Sequence, residues 1–236
     1  MADSHPALFA YPKHAAFGRV IPKKRIFDAA KPKRRVKDQL TDKVAQLVWQ
    51  YKLAPESINI ASTKTVPEIQ IFTVALKQPG MNEDLPRDVL HCIDQAIPSR
   101  IIFELTAARE DHSSPDRIKV AAAYKRASEA DHSKWVIGEY FSTAWIPADA
   151  QRTPLPVVTD LSRLYEEMLR RLIPISARQG ETLEELTERY QRIAAKEREC
   201  QKMEAKLHRE KQFNRKVEIN RELRELKAEL NQLSNV

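Results

Sequence analysis

Three carboxylates and one lysine are the side chains whose types come nearest to a reaction centre. Glu68, Glu104 and Glu139 fall on strand-like runs, and Lys125 lies near the end of another. A restriction-type nuclease needs an acid on one strand and a Glu-x-Lys or Asp-x-Lys pair on the next, because carboxylates hold the metals and the lysine steadies the attacking water. The sequence offers Ala123-Tyr124-Lys125 where that pair belongs. A nuclease site from Glu68, Glu104 and Lys125 is therefore divergent and stands only as an alternative. Other chemistries find less. The histidines at 5, 14, 91, 112, 132 and 208 include no pair at chelating spacing, and Cys92 and Cys200 lie in different helical segments and read as packing residues. Gly18, Gly80, Gly138 and Gly180 build no phosphate-binding loop, and no serine sits in a nucleophile elbow. We expect no catalytic residue, no metal and no cofactor.

Binding is better represented than chemistry. The chain carries a formal charge of +7, and residues 1–56 hold twelve Lys or Arg against five Asp or Glu, while the remainder holds 28 of each. The bases cluster as Lys23, Lys24, Arg25 and then Lys33, Arg34, Arg35 and Lys37. Such a patch attracts polyanions, phosphate backbones above all, with solubility or an acidic partner protein as the plainer readings. No zinc-finger spacing, RNP-like aromatic run or helix-turn-helix accompanies it, so the expected contact is to backbone rather than base edges.

Elements must position these residues. Pro32 opens a predicted amphipathic helix whose stripe, Val36, Leu40, Val44, Leu47, Val48 and Tyr51, runs to Leu53. Trp49 falls opposite that stripe and is a candidate partner contact; the competing reading is that the N-terminal segment, with Leu8, Phe9, Tyr11 and Phe17, folds back over it. Strands are predicted over 68–77, 100–107, 117–126 and 135–146, with a crossover helix over 85–97 between the first two, giving the order β-α-β-β-β. The loops 108–116 and 127–134 make the last three strands an antiparallel meander. A second amphipathic helix covers 158–172, and Pro174 and Gly180 punctuate a linker. From Thr182, which makes a capping-box spacing with Glu185, neither Gly nor Pro interrupts the chain. One helix of about 50 residues follows, ~75 Å long. Leu183, Leu186, Tyr190 and Ile193, and later Leu223, Leu226, Leu230 and Leu233, keep coiled-coil spacing, but the middle breaks phase. There Phe213, Asn214, Arg215, Val217, Ile219 and Asn220 form a candidate docking surface.

The fold class is thus α+β: a small mixed or antiparallel four-stranded sheet packed with helices, plus a long coiled-coil-like C-terminal helix. The divisions fall at 1–56 (basic segment and helix), 57–175 (α+β core) and 181–236 (long helix). No apolar run approaches the ~20 residues a bilayer crossing needs, and the N-terminus lacks a leader pattern, so a cytoplasmic protein with no membrane partner is expected.

Several segments together resemble one bacterial family, domain of unknown function 4391. They are Ile21-Pro-Lys-Lys24, Trp49-Gln-Tyr-Lys-Leu53 with Ile58-Asn-Ile60, Glu68-Ile-Gln-Ile-Phe72 and, most specifically, Glu210-Lys-Gln-Phe-Asn-Arg-Lys-Val-Glu-Ile-Asn220. The resemblance brings no activity and no ligand residue. It implies genomic company with helicases, DNA methyltransferases and restriction-like enzymes of phage defence, and so an accessory or adaptor subunit of a DNA-acting complex. A homodimeric coiled-coil structural protein, self-associating through the C-terminal helix, is the remaining alternative.

Overall fold

A computed structural model describes residues 5–77, 84–108, 115–128 and 135–234. Gly80, His112, His132 and most of the loops 108–116 and 127–134 lie outside the described residues. The elements run β1 Phe9–Ala10, β2 Ala16–Val20, α1 Lys23–Ala30, α2 Arg34–Lys43, β3 Val44–Leu53, α3 Pro55–Ile58, β4 Ile69–Leu76, α4 Arg87–Ala96, β5 Arg100–Ala107, β6 Arg117–Ala127, β7 Trp135–Ser142, β8 Ile146–Pro147, β9 Thr153–Pro154, α5 Leu161–Arg170, α6 Leu183–Arg209 and α7 Phe213–Ser234. They fall into two compact units that divide between Leu172 and Ile173.

The first unit is α+β. Its main sheet has the order β2-β3-β4-β5-β6-β7, and β8 continues along the β6 edge where β7 ends. The β-α-β-β-β stretch is present within it: β4 and β5 are parallel across the α4 crossover, and β5, β6 and β7 form an antiparallel meander. The sheet is wider than the four strands expected, because β2 and β3 extend it antiparallel beyond β4.

β3 corrects the helix expected over 32–53, which ends at Lys43. Two register shifts explain the misreading, one between Val44 and Gln46 and one between Trp49 and Tyr51. Each bulge inserts a residue and resets which face the following side chains meet. Pairing puts Val44, Leu47 and Trp49 on one face, opposite Leu76, Val74 and Phe72, and Val48, Tyr51 and Leu53 on the other. The spacing that imitates a helical stripe is thus a bulged strand with apolar side chains on both faces.

One face packs under α1, α2 and α4, with Ile26, Leu40, Phe72, Val74, Val89, Ile93, Phe103 and Leu105 in its core. On the other face, Arg152 beside β9 reaches Glu104 of β5 and the Phe9 carbonyl, and Arg171, just past α5, lies over the Phe9 ring at 5.0 Å.

The second unit corrects the single long helix. α6 and α7 are separate helices joined at Glu210–Gln212 and packed against each other. Cross-helix ion pairs set an antiparallel register: Lys196 with Glu229 at 2.8 Å and Lys227 with Glu204 at 2.7 Å. The turn needs neither Gly nor Pro, since Glu210 takes an extended conformation and its carboxylate accepts from the amides of Lys211 and Gln212. At the far end the Thr182 and Glu185 capping box forms as expected. In this register Leu226 lines one groove with Met203, and the Leu233 carbonyl meets Arg189, so the second leucine seam packs mainly on the middle of α6.

Candidate functional site

The basic residues of the first unit divide by what they touch. Lys23, at the first turn of α1, turns inward: its Nζ donates to the carbonyls of Thr41 and Val44 at the end of α2, where Lys77 also donates to Thr41. Cations at that end satisfy carbonyls left without intrahelical partners, so Lys23 helps stop α2. Burial, and then Lys77, push its ammonium down from the ordinary lysine value. Lys37 stands 5.3 Å over the Phe27 ring and thereby bridges α2 to α1. Lys24, Arg25, Lys33, Arg34 and Arg35 are exposed on the two helices, with Lys31 on the turn between them in left-handed conformation, φ 46°. Arg34 approaches Asp38 to only 3.8 Å with both side chains in solvent, which costs the patch little of its field.

Beneath this edge lies a cavity of about 210 Å³. Its floor is the sheet at Arg19, Trp49 and Gln70, and its walls are Ile26 and Ala29 of α1 and the chain at Ala96–Pro98 after α4. Trp49 belongs to this cavity rather than to an open docking face. Phe17 covers its ring at 4.3 Å and its indole N–H donates to the Tyr51 carbonyl at 3.0 Å, so the N-terminal segment does fold back over it. Gln70 is 5% exposed and its amide nitrogen donates to Glu68 and, at 3.1 Å, to Ser99. Ser99 donates in turn to Glu68 at 3.0 Å, and Lys52 lies 3.5 Å from the second Glu68 oxygen.

The trio Glu68, Glu104 and Lys125 does not converge. The register places Glu104 beside Thr73 and Val120 on one face of the sheet, where Arg152 binds both its oxygens at 2.7 and 3.0 Å. Lys125 is on the other face, paired with Asp94 of α4 at 2.9 Å, and Tyr140 donates to the second Asp94 oxygen at 2.8 Å. Burial pushes the Asp94 carboxyl up and the Lys125 ammonium down, each against the attraction of the other. Among the described residues no group of three or more His, Cys, Asp and Glu is placed to hold a metal ion. Cys92 and Cys200 are free thiols, buried in α4 and α6.

In the second unit the expected docking residues split. Phe213 and Val217 are 78% and 54% exposed, one turn apart at the start of α7, while Ile219 is 5% exposed and belongs to the buried seam with Leu223. Asn214, Arg215 and Asn220 are exposed. The exposed pair stands in a basic tip, since Lys206, Arg209, Lys211, Arg215 and Lys216 surround the turn against Glu210 alone.

Sequence reasoning missed Arg19 and Gln70. The signal for Gln70 was an amide inside the apolar run Ile69-Gln-Ile-Phe72, a polar group at a buried strand position. Arg19 gave no such signal, because its place opposite Trp49 depends on the β2 pairing.

The chain matches the family model described as Domain of unknown function (DUF4391) over residues 9–230. No curated protein and no solved structure matches it. The match takes in both units, from β1 to within the last helix, and the basic α1–α2 edge and the hairpin tip fall inside it; the protein is a member of the DUF4391 family.

Proposed function

We propose that this protein is a non-catalytic accessory subunit of a DNA-acting, defence-type complex, holding nucleic-acid backbone on the α1–α2 edge and a partner protein at the tip of its helical hairpin. The observation that carries the reading is the division of labour among the bases: Lys23 and Lys37 build the edge, and Lys24, Arg25, Lys33, Arg34 and Arg35 stand free of the core on its outer side. An edge of this kind meets phosphates through charge without selecting sequence. At the tip, Phe213 and Val217 supply the apolar anchor and the surrounding bases favour an acidic partner surface. A helicase, methyltransferase or restriction-like enzyme is the partner class.

The test is binding to a labelled DNA duplex and to an RNA at two salt concentrations, with Arg34→Glu, Arg35→Glu alongside. Affinity is expected to fall steeply with salt, with a log–log slope shallower by roughly 2 in the variant if each arginine meets one phosphate. Equal affinity of variant and parent at low salt overturns the nucleic-acid half. Phe213→Ala is expected to weaken capture of a co-expressed partner while leaving nucleic-acid binding unchanged.

A further inference from the structure

The cavity under α1 has the features of a site for one small planar group. Its apolar walls include Ile26, Ala29 and the braced indole of Trp49, and at about 210 Å³ it is smaller than the ~300 Å³ at which pockets for drug-sized ligands begin. Only one polar side chain in its lining is buried. Because the Gln70 nitrogen is committed to Glu68 and Ser99, the opposite end of that amide, the carbonyl, is the group left to the cavity, and it accepts hydrogen bonds. Lys52 and Ser99 hold Glu68, so the orientation of Gln70 is fixed before any ligand arrives. Arg19 and Arg25, both exposed, stand among the lining residues. A ligand that satisfies all of this has a flat apolar body, an N–H donor on one edge and an anionic tail.

We propose that this cavity is a nucleobase pocket, which takes a single unpaired or terminal base with its edge N–H on the Gln70 carbonyl and its phosphate on Arg19 and Arg25. The proposal deepens the nucleic-acid reading above and rests on it for the source of the base: Arg25 is both a member of the basic edge and a residue of the pocket. Every nucleobase carries an edge N–H, so the pocket selects an unpaired base over a paired one rather than one base over another.

The experiment titrates the full-length protein with nucleoside 5′-monophosphates, with a single-stranded oligonucleotide carrying 2-aminopurine at its 5′ end, and with a duplex carrying 2-aminopurine internally. Ala29→Phe fills the cavity from an exposed helix position, Gln70→Leu removes the acceptor, and Arg34→Glu, Arg35→Glu tests the outer edge. Wild type is expected to bind the mononucleotides and to change the emission of the terminal 2-aminopurine but not of the duplexed one. Ala29→Phe is expected to abolish both effects, and Gln70→Leu to weaken them roughly tenfold, the loss of about one hydrogen bond. The edge variant is expected to weaken the oligonucleotide more than the mononucleotide. If Ala29→Phe binds mononucleotides and terminal 2-aminopurine as wild type does, the pocket is wrong while the edge stands. If wild type binds no mononucleotide at millimolar concentration, the pocket is equally wrong, whatever the edge does.

Discussion

The three N–H groups of the Lys125 ammonium are shared among four oxygens: the Asp94 carboxylate at 2.9 Å, the Asp94 carbonyl at 2.7 Å, and the carbonyls of Ile97 at 2.5 Å and Ser99 at 2.9 Å. Three of these are main-chain groups where α4 ends and the chain enters β5, so the lysine stops the helix and fastens the crossover to the sheet. Removing it strands a buried carboxylate and several carbonyls. Lys125→Met is expected to destabilise the protein by ~3–5 kcal/mol, read as a fall in the urea midpoint. Adding Asp94→Asn is expected to recover part of that loss, since the stranded charge is gone. The sequence places a lysine on this strand, and chemistry is the natural suspicion for it. Its structural use is invisible there because all four acceptors lie 26 to 31 residues earlier and are assembled only by the crossover.

Among elements, legibility follows how local the deciding interaction is. The helix over 85–97, the strands at 100–107 and 117–126 and the Thr182 cap were readable, because periodicity, Pro86 and a four-residue box decide them. β3 was not, because its bulges are set by pairing with β4. The helical hairpin was half readable: the phase break marks where the turn comes, but the antiparallel partner that makes a turn favourable is the other half of the same segment. Arg189 holds the open end of this element, opposite the turn, binding both oxygens of Glu181 at 2.7 and 2.9 Å and reaching the carbonyls of Ser176 and Leu233. Its guanidinium holds the Glu181 carboxyl down from the ordinary 4.5 to about 2. A depressed carboxyl stabilises the folded form at pH values above its unfolded pKa and loses that contribution as pH falls through the folded one. Melting temperature is therefore expected to decline between about pH 5 and about pH 2 more steeply in wild type than in Glu181→Gln. Parallel curves for the two proteins would remove the pair from the stability of the hairpin.

For the whole molecule, the mixed α+β character was legible from the periodicity of its segments, though not the width of the sheet, and the basic edge from composition, since the excess charge of the chain sits in its first 56 residues. The cavity was not, because β2, β3, β4, α1 and the end of α4 each contribute a wall or floor and no two of them announce it. The hairpin turn has a mechanical consequence at this scale. Folded back at Glu210, the segment satisfies its own seam; straightened, the same residues form a rod of roughly 75 Å, near twice the reach, with an unsatisfied apolar stripe. Replacing Glu210, Lys211 and Gln212 by alanine removes the carboxylate that caps the turn and favours continuous helix. The expected product is a dimer in which each rod lends its seam to the other, seen as a doubling of the 27.2 kDa mass in light scattering. In that outcome the turn at Glu210 decides both the length of the helical segment and whether its seam is met within one chain or between two.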